Sequence, residues 1–158
     1  MSSRSNGEQI PAGCYPSEPH VAVGAVVFKK QRVLLVRRGK APAYGQWAIP
    51  GGGIHLGESL QEAAEREILE ETGIRIRAGE PIFCFDVVDY DDDGRIRYHY
   101  VIVDLEAIYR GGRLRSGDDA LEARWVTAAE MENLDVSPPT RRLLSQQYHF
   151  GSVENHAS

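Results

Sequence analysis

Cysteine is scarce in this chain: 158 residues hold only Cys14 and Cys84. They are distant and form no CxxC pair, which excludes a zinc site of ordinary spacing and leaves two reduced thiols as the expectation. Long apolar runs are lacking too. None approaches the ~20 residues that a bilayer span needs, and the opening stretch MSSRSNGEQIPAGCYPSEP has no apolar signal core. A cytoplasmic location is therefore expected. Positive charge is in deficit, with 18 Lys and Arg against 23 Asp and Glu and a net charge of −5, so no basic field invites duplex nucleic acid. Internal repeats are absent. So is any Ser-His-Asp or Cys-His arrangement. His55 and His99 are expected to be structural, and His20, His149 and His156 carry no motif.

What the chain does have is acid, concentrated in one stretch. Residues 51–74 read GGGIHLGESLQEAAEREILEETGI, with six glutamates between Glu58 and Glu71 against the single base Arg66. The spacing predicts a helix. Ser59 and Glu62 make a capping box, Leu60, Ala63, Ala64 and Ile68 recur at helical intervals, and Gly73 is a stop signal. At roughly 100° per residue, Glu67, Glu70 and Glu71 share the arc that carries Leu60, Ala63 and Ala64 in the first turns. A face that starts apolar thus ends in three carboxylates, while Glu62 and Glu65 point away to solvent. A surface helix laced with ion pairs would place bases four residues after its acids. Only Glu62 and Arg66 have that order. Three like charges at such spacing repel. A divalent cation offsets the repulsion, and oxygen-only ligation suits Mg²⁺ or Mn²⁺.

This pattern resembles the signature of the Nudix hydrolase family, with every fixed position filled: Gly52, Glu58, Arg66, Glu67, Ile68, Glu70, Glu71, Gly73 and Ile74. The resemblance implies that Glu67, Glu70 and Glu71 hold metal, joined by a backbone carbonyl of Gly52 or, as second choice, Gly51. It implies that Glu70 or Glu67 orients or deprotonates water and that Arg66 fixes the carboxylates through ion pairs. Glu58 has two readings, support of the metal shell or stabilisation of the helix dipole. Many family members take a further acid from outside the signature. Here the loop 117–122 supplies the candidates, Glu122 first and Asp119 second, against the reading of a solvated loop.

Length and composition fit one domain with one sizeable core. Residues 1–18 read as a loose arm, 19–150 as the domain and 151–158 as a tail. Strands are expected at 20–28, 32–38, 74–78, 81–90, 95–109 and 122–126, with a short extended segment at 47–50. Asp91-Asp92-Asp93-Gly94 reads as a hairpin turn rather than a metal site. Thr127 and Glu130 open a second helix near Ala128, and a last helix covers 140–148. Strands and helices in this order suggest an α/β fold, a three-layer α/β/α sandwich around a mixed sheet. The Nudix fold is such a sandwich.

The family resemblance implies hydrolysis of a phosphoanhydride with Mg²⁺ as cofactor and Mn²⁺ as its substitute. The partner is a small nucleotide, with no nucleic acid and no membrane. A homodimer is the one assembly the family suggests. The broad likeness is to compact bacterial ADP-ribose pyrophosphatases, giving AMP and ribose 5-phosphate. The proline that marks one ADP-ribose subgroup is replaced by Tyr90, and a tyrosine near there is associated with dinucleoside polyphosphate hydrolases. Two alternatives stay open: a nucleoside triphosphate pyrophosphohydrolase, oxidised substrates included, and a non-catalytic nucleotide sensor. Arg38, Trp47 and Tyr98 are the candidates for substrate contact, with Arg37 and Lys40 near the same loop and Tyr44, Phe83, Phe85, Tyr90 and Tyr100 as further aromatics.

Overall fold

The computed structural model describes residues 13–117 and 119–151. Ten elements follow in the order β1 (His20–Lys29), β2 (Arg32–Arg38), β3 (Trp47–Ala48), β4 (Gly51–Gly53), α1 (Leu60–Thr72), β5 (Ile74–Tyr90), β6 (Ile96–Gly112), β7 (Ala120–Val126), α2 (Ala128–Met131) and α3 (Pro138–Tyr148). The strands form one mixed sheet of order β3-β2-β1-β6-β5, with β4 on β1 and β7 on β2. β1 lies parallel to β6, and the other pairings are antiparallel.

β1 explains the layering. It is apolar at successive positions, as a strand covered on both faces must be. Val23, Ala25 and Val27 point into one cluster with Ala63, Ala64 and Ile68 of α1. Val26 points into the other, with Leu143 and Leu144 of α3 and Met131 of α2. The sheet is thus sandwiched between helices, as expected. Among the described residues no helix is long and apolar enough to cross a membrane.

The sheet forks on β1. Its first half, Ala22–Gly24, pairs with β4, whereas Phe28 and Lys29 at its far end pair with β2. The expected extended segment 47–50 is strand only at Trp47–Ala48, which joins β2, and the glycines that follow it, Gly51–Gly53, form a separate strand that joins β1. Pro50 stands at the break, where a residue without an N–H costs no ladder bond. Two further expectations change. The extended pieces 74–78 and 81–90 are one strand, bulged around Pro81, and β6 runs on through Gly111 and Gly112 to pair with Arg75 and Ile74. Near the end of the arm Tyr15 is docked: its N–H donates to Arg97 O at 2.8 Å and its hydroxyl to Asp91 at 2.9 Å. Of the arm and tail readings, residues 1–12 and 152–158 lie outside the described residues.

Candidate active site

α1 forms as its caps dictate. Ser59 accepts from the Glu62 N–H, Glu62 reaches back to the Ser59 N–H, and Gly73 ends the helix in the left-handed region at φ 73°. Ala63, Ala64, Ile68 and Thr72 bury its inner face. That anchoring fixes the rotation of the helix, so its last two turns present Glu67, Glu70 and Glu71 to the cleft at the fork of the sheet, beside Gly51, Gly52 and Gly53. The cleft holds about 840 Å³, within the usual range for small-ligand sites.

Arg66 organises one side. Its guanidinium donates to both Glu58 oxygens at 2.7 and 2.8 Å, to Glu67 at 2.8 Å, to Glu70 at 3.3 Å and to the Gly53 carbonyl at 2.9 Å. Glu58 also accepts the His55 N–H at 2.7 Å. The Arg66 side chain, more than any other influence, draws the Glu58 carboxyl down to about 2. Glu58 and Arg66 are thus a mutually fixed pair, with Glu58 holding the guanidinium that in turn reaches Glu67 and Glu70. Glu65, expected in solvent, accepts the Ala78 N–H at 3.1 Å and ties α1 to β5.

The three late glutamates differ. Glu71 is tucked inward and accepts the Gly51 N–H at 2.9 Å. Burial first, and then the charge of Glu67, push its carboxyl up to about 7, against the lowering effects of that hydrogen bond and Arg38. Glu67 lies against Gly52, where any β-carbon would collide with its carboxylate. Glycine at 52 lets that carboxylate stand this close to the backbone. Glu70 turns outward, its side chain 60% exposed. Among the described residues no three His, Cys, Asp or Glu side chains are grouped as a ready-made cation site. The carboxylates share one cleft without closing on one point. As donors they are hard oxygens, the set that suits Mg²⁺ or Mn²⁺.

Of the candidates outside the helix, Arg38 lines the cleft, held by an Nε bond to Pro42 O at 2.8 Å. Three do not line it. Trp47 is 5% exposed and packs in the α3-side core with Arg124 over its ring. Tyr98 is also 5% exposed, stacked on Tyr100 and covered by Cys14, whose thiol donates to its hydroxyl at 3.0 Å. Glu122 pairs with Arg124 at 2.6 Å on β7. The second-choice acid, Asp119, is on the cleft and pairs with Lys40 at 3.1 Å, and Tyr100 and Phe85 are the aromatics that line it. Sequence reasoning missed Asp104 and Gly24, both on the cleft. The available signal was an acid inside the apolar run YVIVDLEAIY.

A family profile described as NUDIX domain matches residues 18–147. A Methanocaldococcus jannaschii protein named ADP-ribose pyrophosphatase is 36% identical over 107 residues, which cover 68% of this chain and 61% of that protein. The match thus spans less than two thirds of that relative's length. An Enterobacter sp. strain 638 protein named nucleoside triphosphatase NudI is 31% identical over 108 residues, 65% of this chain and 77% of the relative. The crystal structure of a MutT Nudix hydrolase from Burkholderia pseudomallei superposes with a TM-score of 0.68 at 30% identity, covering 82% of this chain and 98% of that one.

Proposed function

Because the chain belongs to the Nudix hydrolase family, we propose that it hydrolyses the pyrophosphate bond of a nucleoside diphosphate linked to a further moiety, ADP-ribose first. The observation that carries this is the meeting of Glu67, Glu70 and Glu71 with the Gly51–Gly53 strand on one cleft of nucleotide size. A polyanionic substrate is repelled by such a site on its own, so the three glutamates, with a carbonyl of Gly52 or Gly51, are assigned to hold Mg²⁺ or Mn²⁺. When bound, such a cation neutralises phosphate charge and acidifies water.

The chain's own part is positioning. Arg66 holds Glu67 and Glu70 by ion pairs and is itself held by Glu58. The Gly51 N–H orients Glu71, which burial keeps poised near neutrality. Arg38 and Lys40, at the cleft wall, are assigned to the phosphate oxygens. Asp119 takes the place of Glu122 as the candidate acid outside the signature, since it lines the cleft and Glu122 does not.

A second reading, pyrophosphohydrolysis of nucleoside triphosphates, is favoured by the similarity to the Enterobacter triphosphatase. Purified protein with Mg²⁺ and ADP-ribose is expected to release AMP and ribose 5-phosphate. Faster initial rates on dGTP or oxidised dGTP would select the second reading. No turnover across a broad nucleotide panel, with binding retained, would leave a nucleotide sensor and end both.

A further inference from the structure

Four polar or charged residues are buried among those described: Thr72, Asp104, Ser137 and Thr140. Three are accounted for. The Thr72 hydroxyl donates to Ile68 O at 2.6 Å, and Ser137 donates to Thr140 at 2.9 Å. Asp104 is different. It is 2% exposed, and burial alone acts on its carboxyl, pushing it up to about 7 with no donor or cation opposing the shift. No protein donor meets it among the described residues, and its oxygens are left to the solvent of the cleft. Its small exposure is to the cleft, which it lines.

The surroundings tell what the partner is. Phe83, Asp104, Gly24 and Gly51 stand in one row across β5, β6, β1 and β4. Neighbours in a row share a face of the sheet. Phe85, Ile102 and Ala22 form the next row, and Val87 and Tyr100 belong to the one after. This face floors the cleft on the side away from α1, and the part of it that lines the cleft is apolar or aromatic except at Asp104, with His20 beside Tyr100 and Glu106 two residues along β6 standing outside the lining. The carboxyl leans over Gly24: a β-carbon there would collide with its Oδ1 and come within 3.1 Å of Ile49. Glycine at 24 keeps the slot open. Asp104 stands two strands from Gly51, about 10 Å at the backbone by normal strand spacing. That is roughly the reach of a nucleoside whose phosphates lie at the glycine strand.

We propose that Asp104 is the specificity-determining group of the nucleoside subsite, accepting a hydrogen bond from the exocyclic amino group of the substrate's base. The flat apolar floor takes the ring and the single acceptor reads its edge. Adenine satisfies it under the ADP-ribose reading, and guanine would satisfy it under the triphosphate reading. Hypoxanthine turns a carbonyl oxygen toward the carboxyl where adenine turns an amino group, so it loses that bond and meets repulsion in its place.

This inference rests on the cleft being a nucleotide site, not on which bond is broken. The test therefore reads binding, by calorimetry with AMP and IMP at pH 8 in Mg²⁺, on the wild type, Asp104→Asn and Asp104→Leu. The wild type is expected to prefer AMP about 10-fold or more. Asp104→Leu should weaken AMP and bring the two ligands to one level without weakening IMP. Asp104→Asn, which keeps the shape and one acceptor, should fall between. Equal affinity of the wild type for AMP and IMP, binding of neither, or equal weakening of both in the variants would overturn the assignment. Should ADP-ribose fail as a substrate while the AMP preference holds, the reaction reading falls and this one stands.

Discussion

At the residue scale, the decisive side chains are those whose neighbours leave them one thing to do. Glu70→Gln and Glu71→Gln each remove one charge and keep shape. Each is expected to lower kcat with ADP-ribose and Mg²⁺ by roughly 10²-fold, the effect of removing one strong electrostatic interaction from a transition state. Near-normal turnover in both would sink the assignment of these carboxylates. Gly52→Ala makes a sharper test of geometry, because its methyl must push Glu67 aside. We expect a comparable rate loss with the fold intact by circular dichroism. The glutamates were legible in the sequence because their spacing on a helix is fixed by the helix itself. Trp47, Tyr98 and Glu122 are candidates by residue type that stand off the cleft, because chemistry does not reveal facing. Trp47 and Tyr98 are as aromatic in the core as they would be in a cleft, and Glu122 is the same kind of acid as Asp119 but stands on β7, paired with Arg124, while Asp119 precedes the strand on the cleft beside Lys40.

At the element scale, α1 carries the site, so its caps set how firmly the carboxylates are held. Ser59→Ala removes the side-chain acceptor of the capping box and is expected to cost about 1 kcal/mol. For a chain of this size that lowers Tm by roughly 2–4 °C. Ser59 does not line the cleft, so kcat per folded molecule should hold at room temperature. A large drop in kcat with unchanged Tm would show that the cap acts on chemistry instead. The helix was readable to its ends because caps are local. The strands were read less well. Pro50 and Gly111-Gly112 look alike as breakers, yet Pro50 splits two strands and the glycines continue one. What separates them is the partner strand: β5 offers Ile74 and Arg75 for the glycines to pair with, and no local pattern announces it. The fork on β1, which makes the cleft, is likewise a matter of which strands find which half of β1.

At the scale of the whole molecule, two buried acids make stability depend on pH and on metal. Burial raises both Glu71 and Asp104 to about 7, from ordinary values near 4. The folded state therefore binds more protons than the unfolded chain between about pH 4 and 7. Stability of the metal-free protein must fall as pH rises through that window, and the cost is complete above about 7. The size is on the order of 3–4 kcal/mol for each group at most, and local relaxation softens it. Glu58 acts in the opposite sense and elsewhere: Arg66 depresses its carboxyl, so its contribution is present near neutrality and is lost only below about pH 4. Urea denaturation without metal should thus show a maximum near pH 4–5 and a decline toward pH 8. Glu71→Gln and Asp104→Asn should each flatten part of that decline. They should differ in their response to Mg²⁺. A cation that binds ionised Glu71 displaces its proton, so Mg²⁺ should stabilise the wild type and Asp104→Asn more at pH 8 than at pH 6, and should barely stabilise Glu71→Gln at either. Equal stabilisation of all three proteins by Mg²⁺ would put the cation somewhere other than beside Glu71, and the acidic end of α1 would need a different purpose.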